Sequence, residues 1–136
     1  MYYIVVLLWS VLSLPAVADS TSAHGVWKTE PNDEGAYLEV TVAACESQDT
    51  LTCGTITRAV APAGDNPDYV HLGRRMVDAM EYEGDGAYAG GRIWDPVSDR
   101  TYKSKLSLEG GELDVKGCVA FVCRGQRWQP VMSGDE

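Results

Sequence analysis

The sequence predicts an all-β domain of about eight short antiparallel strands stapled by two local disulfides. Apolar and polar residues alternate with period two from Gly25 to the C-terminus, turn formers interrupt the alternation at short intervals, and four cysteines sit in two close pairs. No stretch has the length and periodicity of a long helix.

The first strand is expected at residues 25–29. Pro31-Asn32-Asp33-Glu34-Gly35 then turns the chain into residues 37–42, where Leu38, Val40 and Val42 share one face and Glu39 and Thr41 the other. A strand with one buried face needs that pattern. The third and fourth strands are expected at 54–60 and 70–82, on either side of Pro62-Ala63-Gly64-Asp65-Asn66-Pro67. Residues 74–80 also read as one or two helical turns. After Glu83-Gly84-Asp85-Gly86 comes a strand at 87–94, whose inward set is either Tyr88, Gly90, Arg92 and Trp94 or Ala89, Gly91 and Ile93. Its adjacent glycines mark a tight bend or a close backbone approach. Asp95-Pro96 ends it. In 102–108, Tyr102, Ser104, Leu106 and Leu108 oppose Lys103, Lys105 and Ser107. In 112–119, Leu113, Val115, Gly117 and Val119 oppose Glu112, Asp114 and Lys116. Gly110-Gly111 joins these two as a hairpin, because paired glycines accept positive φ angles. A last strand is expected at 125–132, before an acidic tail at 133–136 that is the one candidate for disorder. Such a series closes as an up-and-down barrel or packs as a sandwich.

The N-terminus predicts export. Residues 2–14 are almost unbroken apolar, followed by Pro15 and Ala16-Val17-Ala18. Small residues at the first and third places of that triplet suit signal peptidase, so residues 1–18 read as a cleaved leader, although no Lys or Arg precedes the run. The run falls short of the about 20 apolar residues of a membrane span. The mature chain, 19–136, is then expected in the periplasm or outside the cell, with no membrane span after cleavage. Removing 18 of 136 residues leaves 118, enough for one domain.

The chain carries 11 basic and 20 acidic residues, a net charge of −9. That balance repels nucleic acid and anionic headgroups, and the sequence shows no basic stripe to offset it. In an oxidising compartment the cysteines are expected as disulfides. Four allow three pairings; the spacing favours Cys45 with Cys53 across a polar turn, and Cys118 with Cys123 across a tight apolar one. The intervals are too irregular for a zinc site.

The order Gly25-x-Trp27-Lys28-Thr29, Cys53-Gly54, Asn66-Pro67-Asp68, Gly90-Gly91-x-Ile93-x-Asp95-Pro96, Thr101-Tyr102, Leu113-x-Val115-x-Gly117 and Gly125-Gln126-x-Trp128 resembles the bacterial exported family called domain of unknown function 2147. The resemblance covers essentially the whole mature chain. It implies a small antiparallel up-and-down β-barrel of about eight strands, lipocalin-like (calycin-type), with a cup for a small apolar molecule. Gly25-x-Trp27 is similar to the lipocalin opening motif, in which the Trp plugs one barrel end. In lipocalins an Arg or Lys near the end of the last strand crosses that Trp; Pro130 stands where relatives would show it, which leaves Arg127 or Arg124 for the cation–π contact. Asp99 stands where relatives often have Gly. The family has no assigned activity, so the resemblance implies no reaction.

Alternation places Leu38, Val40, Val42, Ile56, Tyr102, Leu106, Leu113 and Val115 inside, as plain core or as the lining of a ligand cup. Of these, Leu38, Val40, Ile56, Tyr102 and Leu106 are the candidate ligand contacts, together with Trp27 and Arg58. Arg58 falls on the face of Ile56 and Val60, where a charge must meet a partner or an anionic ligand such as a fatty-acid carboxylate. Asp65, Asp68, Asp95 and Asp99 are oxygen-rich enough for calcium, but they lack EF-hand spacing, and Asx turns account for Asp and Asn beside Pro. His24, near the processed N-terminus, and His71 find no nucleophile in sequence, and Glu81 and Glu83 share a strand face with no cleft implied. No cofactor motif is present. The functions that follow are a periplasmic binding protein for a small apolar or amphipathic molecule, an envelope protein-interaction module with a filled barrel, and, third, a hydrolase.

Overall fold

A computed structural model describes residues 22–132 of the 136-residue chain. The leader expected at 1–18 and the tail at 133–136 lie outside the described residues. The strands are β1 (Gly25–Lys28), β2 (Tyr37–Ala44), β3 (Thr52–Ala61), β4 (Gly64–Asp65), β5 (Arg75–Gly84), β6 (Ala87–Asp95), β7 (Arg100–Glu109), β8 (Glu112–Val119) and β9 (Val122–Pro130). Every pairing is antiparallel, and β4 is a short spur on β3. The other eight strands run β2-β1-β9-β8-β7-β6-β5-β3, and β2 closes the circuit on β3. The fold is an up-and-down barrel; the sandwich is not formed.

Tight turns make the meander. Asp85 and Gly86 (φ 53° and 77°) and Gly110 and Gly111 (φ 59° and 82°) are both left-handed pairs, the geometry that matches the twist of a two-residue hairpin. The β8–β9 turn uses Ala120 at φ 53°, which no turn residue in the sequence announces. A β-carbon in that region costs roughly 1–2 kcal/mol, so Ala120→Gly is expected to stabilise the fold by about 1 kcal/mol, read as a higher urea midpoint with unchanged slope. Because of this turn the last strand begins at Val122 rather than at residue 125. The expected strand at 70–82 also shortens: residues 70–73 form turns, and β5 starts at Arg75 with no helix. Asp99 takes φ 55°, a left-handed position that suits Gly and that Asp tolerates. Both expected disulfides form, Cys45–Cys53 and Cys118–Cys123.

The core fills one end of the barrel. Val40, Val42, Ile56, Val77, Met80, Leu113 and Trp128 are fully buried, with Tyr88, Leu106 and Trp27 among them. Residues before β1 cross this end as a plug. Ala23 is buried, its amide donates to the Tyr88 hydroxyl at 3.0 Å, and its carbonyl accepts from Trp27 Nε1 at 2.8 Å. Trp27 therefore serves the closed end as the resemblance implied.

Candidate functional site: an open cup at one end of the barrel

The opposite end is open. The ends of β1, β3, β6 and β8 and the starts of β2, β5, β7 and β9 meet there, and the space between them forms two adjoining lobes of about 630 and 420 Å³. Glu30, Met76, Asp95 and Gln126 line both lobes, which makes them one cup. Ile93, Tyr102, Val115 and Gly117 wall the larger lobe; Leu38, Ala59, Val60 and Tyr69 wall the smaller. Gly117 creates much of the room, because its missing side chain lies against Ile93 and Tyr102, 3.4 Å from where a β-carbon would stand. Burial pushes the Tyr69 hydroxyl above its usual value, so it stays protonated and available as a donor.

Register decides which charges look into the cup. In β8 and β9, Leu113 faces Trp128, Val115 faces Gln126 and Gly117 faces Arg124. Arg124 therefore shares the inward face with Gln126 and the buried Trp128. Arg100 lies two residues before Tyr102 on the inward face of β7, and both arginines line the larger lobe. Neither makes an ion pair among the described residues. The carboxylates beside them are engaged: Glu30 accepts from the Arg127 amide at 3.4 Å, and Asp95 accepts from the Val97 amide and the Ser98 hydroxyl at 3.0 and 2.8 Å. The cup thus pairs apolar walls with two cations that have no ion-pair partner among the described residues.

The mouth loops are held in place by Trp94. Its indole donates to Asp99 at 2.9 Å, the Arg74 guanidinium lies 3.4 Å from its ring centroid, and the His71 ring meets it edge-on at 4.9 Å. This ties the loop before β5 to the turn after β6. The expected cation–π contact on Trp27 by Arg127 or Arg124 is not made. Arg127 instead pairs with Glu109 at 3.0 Å and Glu112 at 3.6 Å.

Of the candidate contacts, Leu38 and Tyr102 line the cup. Val40, Ile56 and Leu106 lie in the packed core and Trp27 at the plugged end, so none of these four lines a lobe. Arg58 corrects the alternation most sharply. The β2–β3 register slips by one residue between Glu39 and Val40, so that Val40 faces Ile56 but Glu39 faces Arg58. This bulge turns Ala59 inward and carries Arg58 to the outer face with Glu39. There it pairs with Glu39 at 2.6 Å and Asp65 at 3.1 Å. Its hydrogen bond to Glu39 raises the Arg58 pKa further above an already high value, so it stays charged.

Three of the four acidic residues are engaged by other groups. Asp65 is taken by Arg58, Asp95 by the turn it caps and Asp99 by Trp94, and among the described residues no three His, Cys, Asp or Glu gather at metal distance. As residues of the cup, Arg124, Arg100, Gln126 and Met76 were missed by sequence reasoning. The available signal was the alternation Arg124, Gln126, Trp128, hidden by starting the last strand one residue too late to include Arg124.

An eight-stranded meander, plugged at one end by residues before its first strand and open at the other, defines a lipocalin-like barrel. Its fold is similar to that of the protein HP1028 from Helicobacter pylori, described as belonging to the lipocalin family, with a TM-score of 0.60, 12% identity, and coverage of 80% of this chain and 82% of that one. The chain itself belongs to the family described as "Uncharacterized protein conserved in bacteria (DUF2147)", whose model matches residues 25–130. Comparison with curated proteins returns no match.

Proposed function

We propose that this chain is an exported binding protein that holds one small amphipathic molecule with an anionic head in the open end of its barrel. The single observation that carries this is the cup itself, with walls of Met76, Ile93, Val115 and Leu38 and the unpaired Arg100 and Arg124 beside them. Apolar walls favour an alkyl or ring body, and a guanidinium fork favours a carboxylate or phosphate. Arg124 and Arg100 thus take the role that alternation had given to Arg58. Export to the periplasm is supported by the apolar run and the Ala16-Val17-Ala18 cut. The lobes weigh against a filled-barrel interaction module, and the fold class together with an apolar cup favours holding a molecule over hydrolysing it.

The test is calorimetric titration with dodecanoate and with dodecanol. Dodecanoate is expected to bind at one site per chain. Arg124→Glu should weaken it at least roughly tenfold, the factor that about 1.4 kcal/mol represents, and should leave dodecanol almost unaffected. Gly117→Leu, which puts a side chain between Ile93 and Tyr102 in the larger lobe, should weaken both. Unchanged affinity in Gly117→Leu would place the ligand outside the cup and end the proposal.

A further inference from the structure

The outer face of β6, β7 and β8 carries a basic patch that the alternating sequence does not announce. Arg92, Lys103 and Lys105 are exposed there, and Lys116 joins them on β8. Register sets Arg92 directly opposite Lys103 and Lys105 directly opposite Lys116. Like charges facing each other across strands destabilise a sheet, so the fold gains nothing from this arrangement. Lys116 is relieved by Asp114 at 3.4 Å, whereas Arg92, Lys103 and Lys105 have no ion pair among the described residues. Asp78 faces Arg92 across β5 and β6 but is engaged by Arg75 at 3.0 Å. In a chain of net charge −9, three adjacent unpaired cations are a local reversal of sign.

The patch is concave, and its rim is apolar. Gly90 and Gly91 border a depression of about 520 Å³, lined also by Arg92, Lys103, Lys105, Ala120 and Phe121 and by no carboxylate. Phe121 is the chain's one phenylalanine and stands fully exposed at the tip of the β8–β9 hairpin, flanked by Val119 and Val122 at 62% and 67% exposure. The Cys118–Cys123 bridge, with a Cα–Cα distance of 4.0 Å, holds that tip rigid at its base. Val70 and Val97, 83% and 94% exposed, project from neighbouring loops at the same barrel end. Burying such side chains is favourable, a gain that solvent exposure forgoes.

We propose that this face docks the protein on an anionic phospholipid bilayer, with Arg92, Lys103 and Lys105 on lipid phosphates and Phe121 inserted at the headgroup level. Charge complementarity selects the occupant. A bilayer offers a sheet of phosphates and an apolar layer a few ångströms below it, which matches cations beside a protruding aromatic tip. The acidic residues elsewhere do not prevent this, because charges beyond the Debye length of about 8–10 Å are largely screened. The proposal does not depend on what the cup holds.

The experiment is co-sedimentation of the protein, expressed from its full sequence, with vesicles of mixed phosphatidylglycerol and phosphatidylcholine and with phosphatidylcholine alone. Binding is expected to the mixed vesicles only and to fall with added salt. Lys103→Glu/Lys105→Glu should weaken it by roughly tenfold or more and leave dodecanoate uptake as in the wild type. Phe121→Ser should weaken it too, and the emission of a Phe121→Trp variant should shift to the blue on anionic vesicles alone. Equal binding to both vesicle types, no binding, or indifference to the charge reversal would overturn the proposal. So would polyglutamate displacing the vesicles at lower concentration than salt alone explains, since the partner would then be an acidic protein. Loss of dodecanoate uptake together with vesicle binding in the double lysine variant would mean lipid extraction into the cup rather than docking, and would overturn it as well.

Discussion

Gly91→Ala is expected to cost the barrel about 3 kcal/mol or more, the largest effect of any single added methyl. A β-carbon at this position would stand 2.2 Å from the Asp78 carbonyl oxygen, 2.8 Å from the Ala79 carbonyl carbon and 2.5 Å from Met80 Sδ. Two of those three neighbours are backbone, so no rotamer change relieves the clash. Ala79 itself sits at φ 54° where β5 bulges against β3, and this stretch of β5 lies against β6 only because Gly91 has no side chain. Gly90 is the internal control. It has open space around it but φ 79°, so Gly90→Ala should cost only the roughly 1–2 kcal/mol of a left-handed alanine. Urea unfolding of the two variants, with equal slopes, should separate them clearly. Similar costs would mean that β5 and β6 do not approach as described.

Trp128→Ala is expected to cost roughly 3–5 kcal/mol, as for other fully buried aromatics. Trp128 is 0% exposed and sits opposite Leu113 at the floor of the cup. Its Nε1 donates to Gln126 Oε1 at 3.1 Å, and Gln126 lines both lobes. The same side chain therefore supports the core and aims a cup residue. Trp128→Phe separates the two roles. It keeps most of the apolar volume and removes the donor, so stability should fall by much less than in Trp128→Ala while dodecanoate affinity drops several-fold. Thermal unfolding and titration on the same samples check both; an affinity unchanged in Trp128→Phe would show that Gln126 needs no support from below.

The regular strands were legible because nothing interrupts their alternation. In β7 and β8 the residues read as inward, such as Leu106, Leu113 and Val115, are buried, and both hairpin glycines at 110 and 111 take positive φ. The strands with bulges were not. A bulge inserts one residue, so every side chain beyond it changes face, and no residue type marks where it falls. Arg58 moved outward in this way, and in β6 the two alternative inward sets each proved half right. Tyr88 faces the core, but after the register shift between Tyr88 and Gly91 it is Gly91 and Ile93 that continue inward. The cup residue Arg124 was lost for a different reason. An alanine, which ordinarily avoids left-handed backbone, makes the β8–β9 turn, so the strand carrying Arg124 begins before any turn signal would place it. The basic patch escaped notice because its members come from three strands, each of which carries only one or two of them.

Native mass spectrometry of protein recovered from a periplasmic extract, under gentle and then harsh activation, tests most directly whether the open barrel end holds a molecule. Wild-type protein is expected to carry an added mass that leaves only on activation, and Gly117→Leu, with a side chain placed in its larger lobe, is expected to carry less of it. A clean apo mass for the wild type, with no adduct after dodecanoate is added, would contradict the cup.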